Sequence, residues 1–169
     1  MATPTPQAAC AQLLKDLLTM PSGQRWARQF LDGVEPSYPH QRDPLTLREL
    51  KAHTEGQLTL GLLPDGHGGT TRHGAIDLDL PRDGETLLDL LELLQSLQAA
   101  AAERGLASFC TFSGRRGFHL VLPLAFPTPW SVVHRALRRV GRDAGYEPAE
   151  LFPTKGKCLK LPCGVHGAT

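Results

Sequence analysis

Apolar residues recur along this chain with two periods, one near 3.6 and one of two, and the switches between them outline its elements. Leu13, Leu14, Leu17 and Leu18 fall at helical spacing, which predicts a helix over 7–19. After the break Pro21-Ser22-Gly23, the residues Trp26, Phe30 and Leu31 predict a second helix over 23–32, followed by a loop over 33–42. Asp43-Pro44 has the form of an N-cap followed by proline at the first helical position, opening a helix to about His53 with Leu45, Leu47 and Leu50 inward. The period then drops to two. Residues 57–63 and 74–80 read as strands, joined over 64–73 by a polar loop rich in Gly and His into a hairpin with a long connection.

The longest helix is expected over 84–104, with Leu87, Leu88, Leu90, Leu91, Leu94 and Leu97 as its apolar face and Gly105 ending it. Strands over 107–112 and 118–124 flank a tight turn. Thr128-Pro129 caps a further helix to about Ala144, with Trp130, Val133, Leu137 and Val140 inward. Short strands near Leu151 and over 158–161 finish the chain. The order from residue 57 implies an α/β (α+β) fold, helices layered on a mostly antiparallel sheet. An N-terminal helical section over 1–43 stands beside a core over 44–169.

Composition narrows the class. With 169 residues, 41% hydrophobic and 21% charged, the chain has the makings of a soluble globular protein with a sizeable core. Its most nearly apolar stretch is interrupted by Asp89, Glu92 and Gln95, so no membrane span is expected. No secretory signal opens the chain, and a cytoplasmic location is the default. Cys10, Cys110, Cys158 and Cys163 are few and irregularly placed, as ordinary thiols rather than a disulfide framework.

The formal net charge of +1 hides an asymmetry. Residues 73–103 carry 1 basic and 7 acidic side chains, whereas residues 104–169 carry 10 basic and 3 acidic. An acidic middle before a basic C-terminal third suits a protein that holds cations beside a polyanion. Charged helix faces explain part of it, among them Arg135, Arg138, Arg139 and Arg142.

Within the acidic stretch, Ile76-Asp77-Leu78-Asp79-Leu80 places three apolar side chains on one face of a strand and two carboxylates on the other. Carboxylates at that spacing can lean over one divalent cation or a pair. Without cations, neighbouring like charges raise each other's pKa. A bare Asp-x-Asp is equally what a solvated edge strand carries.

The second cluster is Ser113-Gly114-Arg115-Arg116-Gly117-Phe118-His119, running into an apolar strand. Two glycines around two arginines make a turn whose backbone N–H groups can meet an anion. Alternation turns His119 away from Phe118, Leu120 and Leu122, toward the face expected for Asp77 and Asp79. A triphosphate could be gripped by Ser113, Arg115 or Arg116, the turn amides and His119, its metals on Asp77 and Asp79.

Together these motifs resemble the archaeo-eukaryotic primase superfamily. The likeness spans roughly residues 44–166 and includes Glu150-Leu151-Phe152-Pro153-Thr154-Lys155 and Lys160-Leu161-Pro162-Cys163-Gly164-Val165-His166. That ending resembles bacterial primase-polymerases of CRISPR, conflict-system and mobile-element type. The Ser113-to-Leu124 segment is also similar to the polymerase domain of bacterial end-joining ligases. The resemblance implies an RRM-like catalytic sheet joined to an N-terminal helical or α/β unit, and template-directed nucleotidyl transfer on DNA with Mg²⁺ or Mn²⁺. NTPs or dNTPs are the implied substrates.

Carried over by motif, Asp77 and Asp79 match metal-binding carboxylates, and Ser113 and His119 match phosphate-binding residues. Gly114, Arg115, Arg116 and Gly117 belong to the same pocket. Lys160 is expected to face phosphate, and Lys155, Lys157 and His166 the nucleic acid.

Many members place a third carboxylate on the last core strand, read here as residues 158–161, where no acid stands. Asp143, Glu147 and Glu150 are assigned to a surface helix and the loop after it. Two other readings therefore stay open: a module of the same fold that binds nucleotide or nucleic acid without turnover, and a metal-dependent nuclease. The chain ends three residues after His166, which reads as a fragment of a longer protein with helicase, nuclease or CRISPR-type domains.

Overall fold

In the computed structural model, residues 4–20, 25–30, 37–63, 69–79, 86–113 and 117–164 are described. Their elements run α1 (Pro6–Leu18), β1 (Trp26–Arg28), α2 (Leu47–Thr54), β2 (Leu60–Leu62), β3 (Thr70–Asp79) and α3 (Leu87–Glu103). Then follow β4 (Phe109–Phe112), β5 (Gly117–Pro129), α4 (Trp130–Asp143), β6 (Glu150–Phe152) and β7 (Leu159–Lys160).

The segment from β3 to β6 is a βαββαβ unit. Its strands form a four-stranded sheet in the order β4-β5-β3-β6, each neighbouring pair antiparallel, which is the RRM-like arrangement. Strand alternation supplies its inner face: Ile76, Leu78, Leu120, Leu122 and Leu151 meet Leu90, Leu94 and Leu97 of α3 and Val133, Leu137 and Val140 of α4. On the other face Ala75, Val121 and Phe152 pack against α1 and a second sheet of order β1-β2-β7. The four-stranded sheet is thus buried on both sides over much of its area.

Local capping fixes the helix starts. Thr86 and Asp89 exchange hydrogen bonds at the head of α3, and Thr46 and Glu49 do so at the head of α2. Burial pushes the Glu49 carboxyl up, but hydrogen bonds from Thr46 and Arg48 outweigh it and bring its pKa down to about 2. Gly105, at φ 69°, ends α3 in the left-handed region that glycine adopts freely.

Several expectations are corrected. The stretch around Trp26 is strand β1, not a helix: it pairs with β2, and Trp26 Nε1 donates to Asp43 O at 2.7 Å. A helix so short has little stability of its own, so the pairing offered by β2 wins. Within the loop that follows, Ser37 bridges to Phe30 and His40 to Ala27. α2 is capped by Thr46 rather than Asp43, because the reciprocal bond with Glu49 is available only there.

β2 and β3 are not a hairpin, since they lie in different sheets. Leu87, Leu88 and Leu91 are exposed, because six leucines span a wider arc of α3 than the sheet covers. α4 starts after Pro129 with no side-chain cap, and Thr128 instead donates to Phe126 O at 2.9 Å.

Residues 162–164 are seated on α2. His53 is fully buried, with Nε2 3.0 Å from Pro162 O and Nδ1 3.2 Å from Leu58 O. A Cβ on Gly164 would come within 1.9 Å of its ring, so only glycine passes there. This contact fixes the segment that carries β7.

Candidate functional site

In an antiparallel sheet, residues directly opposite one another share a face. The registers place Thr111 opposite His119, His119 opposite Asp77, and Asp77 opposite Glu150. One polar row therefore crosses all four strands on the face turned toward the small sheet. Two residues along, Asp79 stands opposite Gly117.

His119 Nε2 lies 3.3 Å from Asp77 Oδ1. That oxygen is buried and accepts no hydrogen bond. A carboxylate oxygen desolvated without a donor is unfavourable unless positive charge faces it. The observation fits a cation at Asp77. Among the described residues, however, no three His, Cys, Asp or Glu side chains converge as a ready-made metal cage. The acids are presented along two strands instead, and Asp79 is exposed at its strand end.

Ser113 and Gly117, which flank residues 114–116, are bonded to each other. Ser113 N donates to Gly117 O at 2.8 Å, and Gly117 N donates to Ser113 Oγ at 3.1 Å. A Cβ on Gly117 would meet Leu78 O at 2.2 Å and Asp79 Oδ1 at 2.7 Å, so the turn needs glycine to lie against the acidic strand. Gly114, Arg115 and Arg116 fall outside the described residues, as does His166.

Lys160 enters from the other sheet. Its Nζ donates to Ser113 O. Burial pushes this ammonium down to about 8, against the pull of Asp77 in the opposite direction. Lys157 Nζ donates to Glu150 Oε1 at 2.6 Å, and that bond raises the Lys157 pKa. Lys155 is exposed and does not line the cleft that holds Lys157 and Lys160.

A cleft of about 400 Å³ joins these residues, with Asp77, Ser113, His119 and Lys160 at one part and Tyr38 and His40 at another. Gln29 Nε2 donates to Tyr38 Oη at 2.7 Å, and burial raises the Tyr38 phenol to about 12. The structure thus gathers Asp77, His119, Ser113, Gly117 and Lys160, with Asp79 and Lys157 adjoining.

Sequence reasoning missed Glu150, Tyr38 and His40. For Glu150 the signal was present. A βαββαβ order brings the last strand beside the first, so an acid heading Leu151-Phe152 lands next to Asp77. The strand over 158–161, read as the last of the core sheet, belongs to the other sheet. Tyr38 and His40 carried no signal, because their place depends on bridges to β1 and its neighbour.

Comparison with known proteins agrees with this fold. The family model described as "LigD, primase-polymerase domain" matches residues 44–156. Among solved structures, the polymerase domain from Mycobacterium tuberculosis ligase D in complex with DNA is similar, with a TM-score of 0.62 at 15% identity. The match covers 95% of this chain and 74% of that one, and at such identity it shows the fold. No curated protein matches.

Proposed function

Because the chain belongs to the LigD primase-polymerase domain family, we propose that it is a template-directed nucleotidyltransferase acting on DNA. The observation that carries this reading is the row His119–Asp77–Glu150 with Asp79 beside it, facing the Ser113 turn across one cleft. The DNA in the similar Mycobacterium structure supports a DNA template and primer as partners. NTPs or dNTPs are the substrates. Among the described residues no helix is long and apolar enough to cross a membrane.

In this reading Asp77 and Asp79 hold Mg²⁺ or Mn²⁺, with Glu150 as the further carboxylate that sequence reasoning placed elsewhere. The bound cations supply charge neutralisation at the α-phosphate and a more acidic primer 3′-hydroxyl. The chain's own groups do the positioning. Ser113 and His119 orient the β and γ phosphates, and Lys160 sets positive charge beside them. The hydroxyl oxygen forms the new bond to the α-phosphorus and loses its proton, while the bond to the departing pyrophosphate breaks. Residues 1–43 contribute Tyr38 and His40 to the cleft of the core that follows, so the two sections work as one catalytic unit.

Primer extension and dinucleotide synthesis with Mg²⁺ or Mn²⁺ test the proposal. Asp77→Ala and Asp79→Ala are expected to abolish both, and undiminished activity in those variants would sink it. A second reading, nucleotide binding without turnover, draws on the Lys157–Glu150 pair, which engages the carboxylate nearest Asp77. Nucleotide binding with no product in either metal, in wild type and in Lys157→Ala alike, would favour it.

A further inference from the structure

The nucleotidyl-transfer cleft accounts for one face of the sheet. A cluster of positive charge lies on the other. α4 carries Arg135, Arg138, Arg139 and Arg142, at i, i+3, i+4 and i+7, and all four are exposed. That spacing lines them up as one stripe. Val133, Leu137 and Val140 are buried at matching intervals on the opposite side of the helix. Among the described residues none of the four arginines is in an ion pair. Like charges at these spacings repel and weaken a helix, so a purely solvated face has no use for them.

The stripe is a ridge between two hollows. One, of about 290 Å³, is lined by Arg135 and Arg139 with Leu106, Val132 and Ala136 as apolar floor, and Arg104 at its edge. Arg104 is paired with Asp143. The other, of about 370 Å³, is lined by Arg138 and Arg142 with Tyr146 and Pro148, and also by Glu147. Val132, 45% exposed, puts apolar surface within reach at the rim of the first hollow.

We propose that the outer face of α4 is a second nucleic-acid site, which holds the backbone of a single strand outside the catalytic cleft. The four guanidinium groups span roughly 10 Å along the helix. That length matches about three successive phosphates of a stacked strand. A single strand, unlike a duplex, also has unpaired bases to lay on Leu106, Val132 and Tyr146 in the hollows. The site cannot be an extension of the cleft, because the sheet and a helix diameter of roughly 10–12 Å separate them. The choice of nucleic acid over other polyanions rests on the function proposed above.

Fluorescence anisotropy of the full chain with a labelled oligothymidine of about 20 nucleotides, in EDTA and over roughly 50 to 200 mM KCl, is the test. Arg135→Gln/Arg139→Gln and Arg138→Gln/Arg142→Gln should each weaken binding about tenfold, and the fourfold variant should lower the salt slope by about 3. Nucleotide binding in the cleft should stay unchanged in all three. The readout is equilibrium binding in EDTA, so absence of polymerase activity would not touch this result. Circular dichroism verifies folding, and the double variants decide the matter should the fourfold one misfold.

Unchanged affinity and slope in the folded double variants would overturn the proposal. A blunt duplex bound as tightly through the same arginines would overturn the single-strand assignment. Arginine-dependent binding to phosphatidylserine vesicles without binding to DNA would replace it with a membrane surface.

Discussion

Two rows of side chains cross the same face of the same four strands, two residues apart, and they have opposite characters. Phe109, Val121, Ala75 and Phe152 form one; Thr111, His119, Asp77 and Glu150 form the other. The apolar row is sealed beneath α1 and the small sheet, with Ala75, Val121 and Phe152 all buried. The polar row lies where that cover ends: His119 is buried, whereas Thr111, Asp77 and Glu150 are only partly withdrawn from water. Hydrophobic burial in the first row positions the second, because the small sheet that docks there also brings Lys160 over the Ser113 turn. The lesson is that a strand's alternation can serve packing and chemistry in turn, provided the covering layer stops at the right residue.

This contrast can be broken by substitution. Phe152→Ala should remove about 3–5 kcal/mol of stability, read as a lower urea midpoint. Asp77→Asn should lower the extension rate on the order of a thousandfold while the midpoint stays put. Equal loss of stability in both variants would erase the distinction between the rows.

The next test sits further along β3, on the same face as Ala75. His73 is buried with Nδ1 3.1 Å from Leu18 O, and burial holds its pKa down at about 4 from an ordinary 6.5. The folded state thus favours the neutral ring. Stability from this group is complete above about 6.5 and drains as pH falls, on the order of 3 kcal/mol by pH 4. Urea midpoints at pH 7 and pH 4.5 should converge in His73→Gln relative to wild type.

The smallest effect concerns Lys157, whose exposed pair with Glu150 is worth only about 0.2–1 kcal/mol. Lys157→Ala should lower the metal concentration for half-maximal extension by two- to fivefold at most.

How far the sequence disclosed all this depends on the range of the interactions. Helices α1, α3 and α4 and the β4-β5 hairpin followed from local periodicity, as did the shared face of Asp77 and His119. What failed depended on distant partners. The Trp26 segment took its conformation from β2, and β2 joined β7 instead of the neighbouring β3. Glu150 was dismissed because its loop-like surroundings are local, whereas its place beside Asp77 is set by a pairing between strands distant in the chain. The arginine stripe was legible in full, but only the burial pattern of α4 shows that it faces outward.

The hydrogen bond from Lys160 to the Ser113 carbonyl has one further consequence. It is a tie between the two sheets, and the ammonium that makes it also lines the cleft that an anion would enter. An arriving phosphate competes with the carbonyl for that same proton donor. Ligand occupancy and the docking of one sheet on the other are therefore linked equilibria, and the tension of the scaffold changes when the cleft fills.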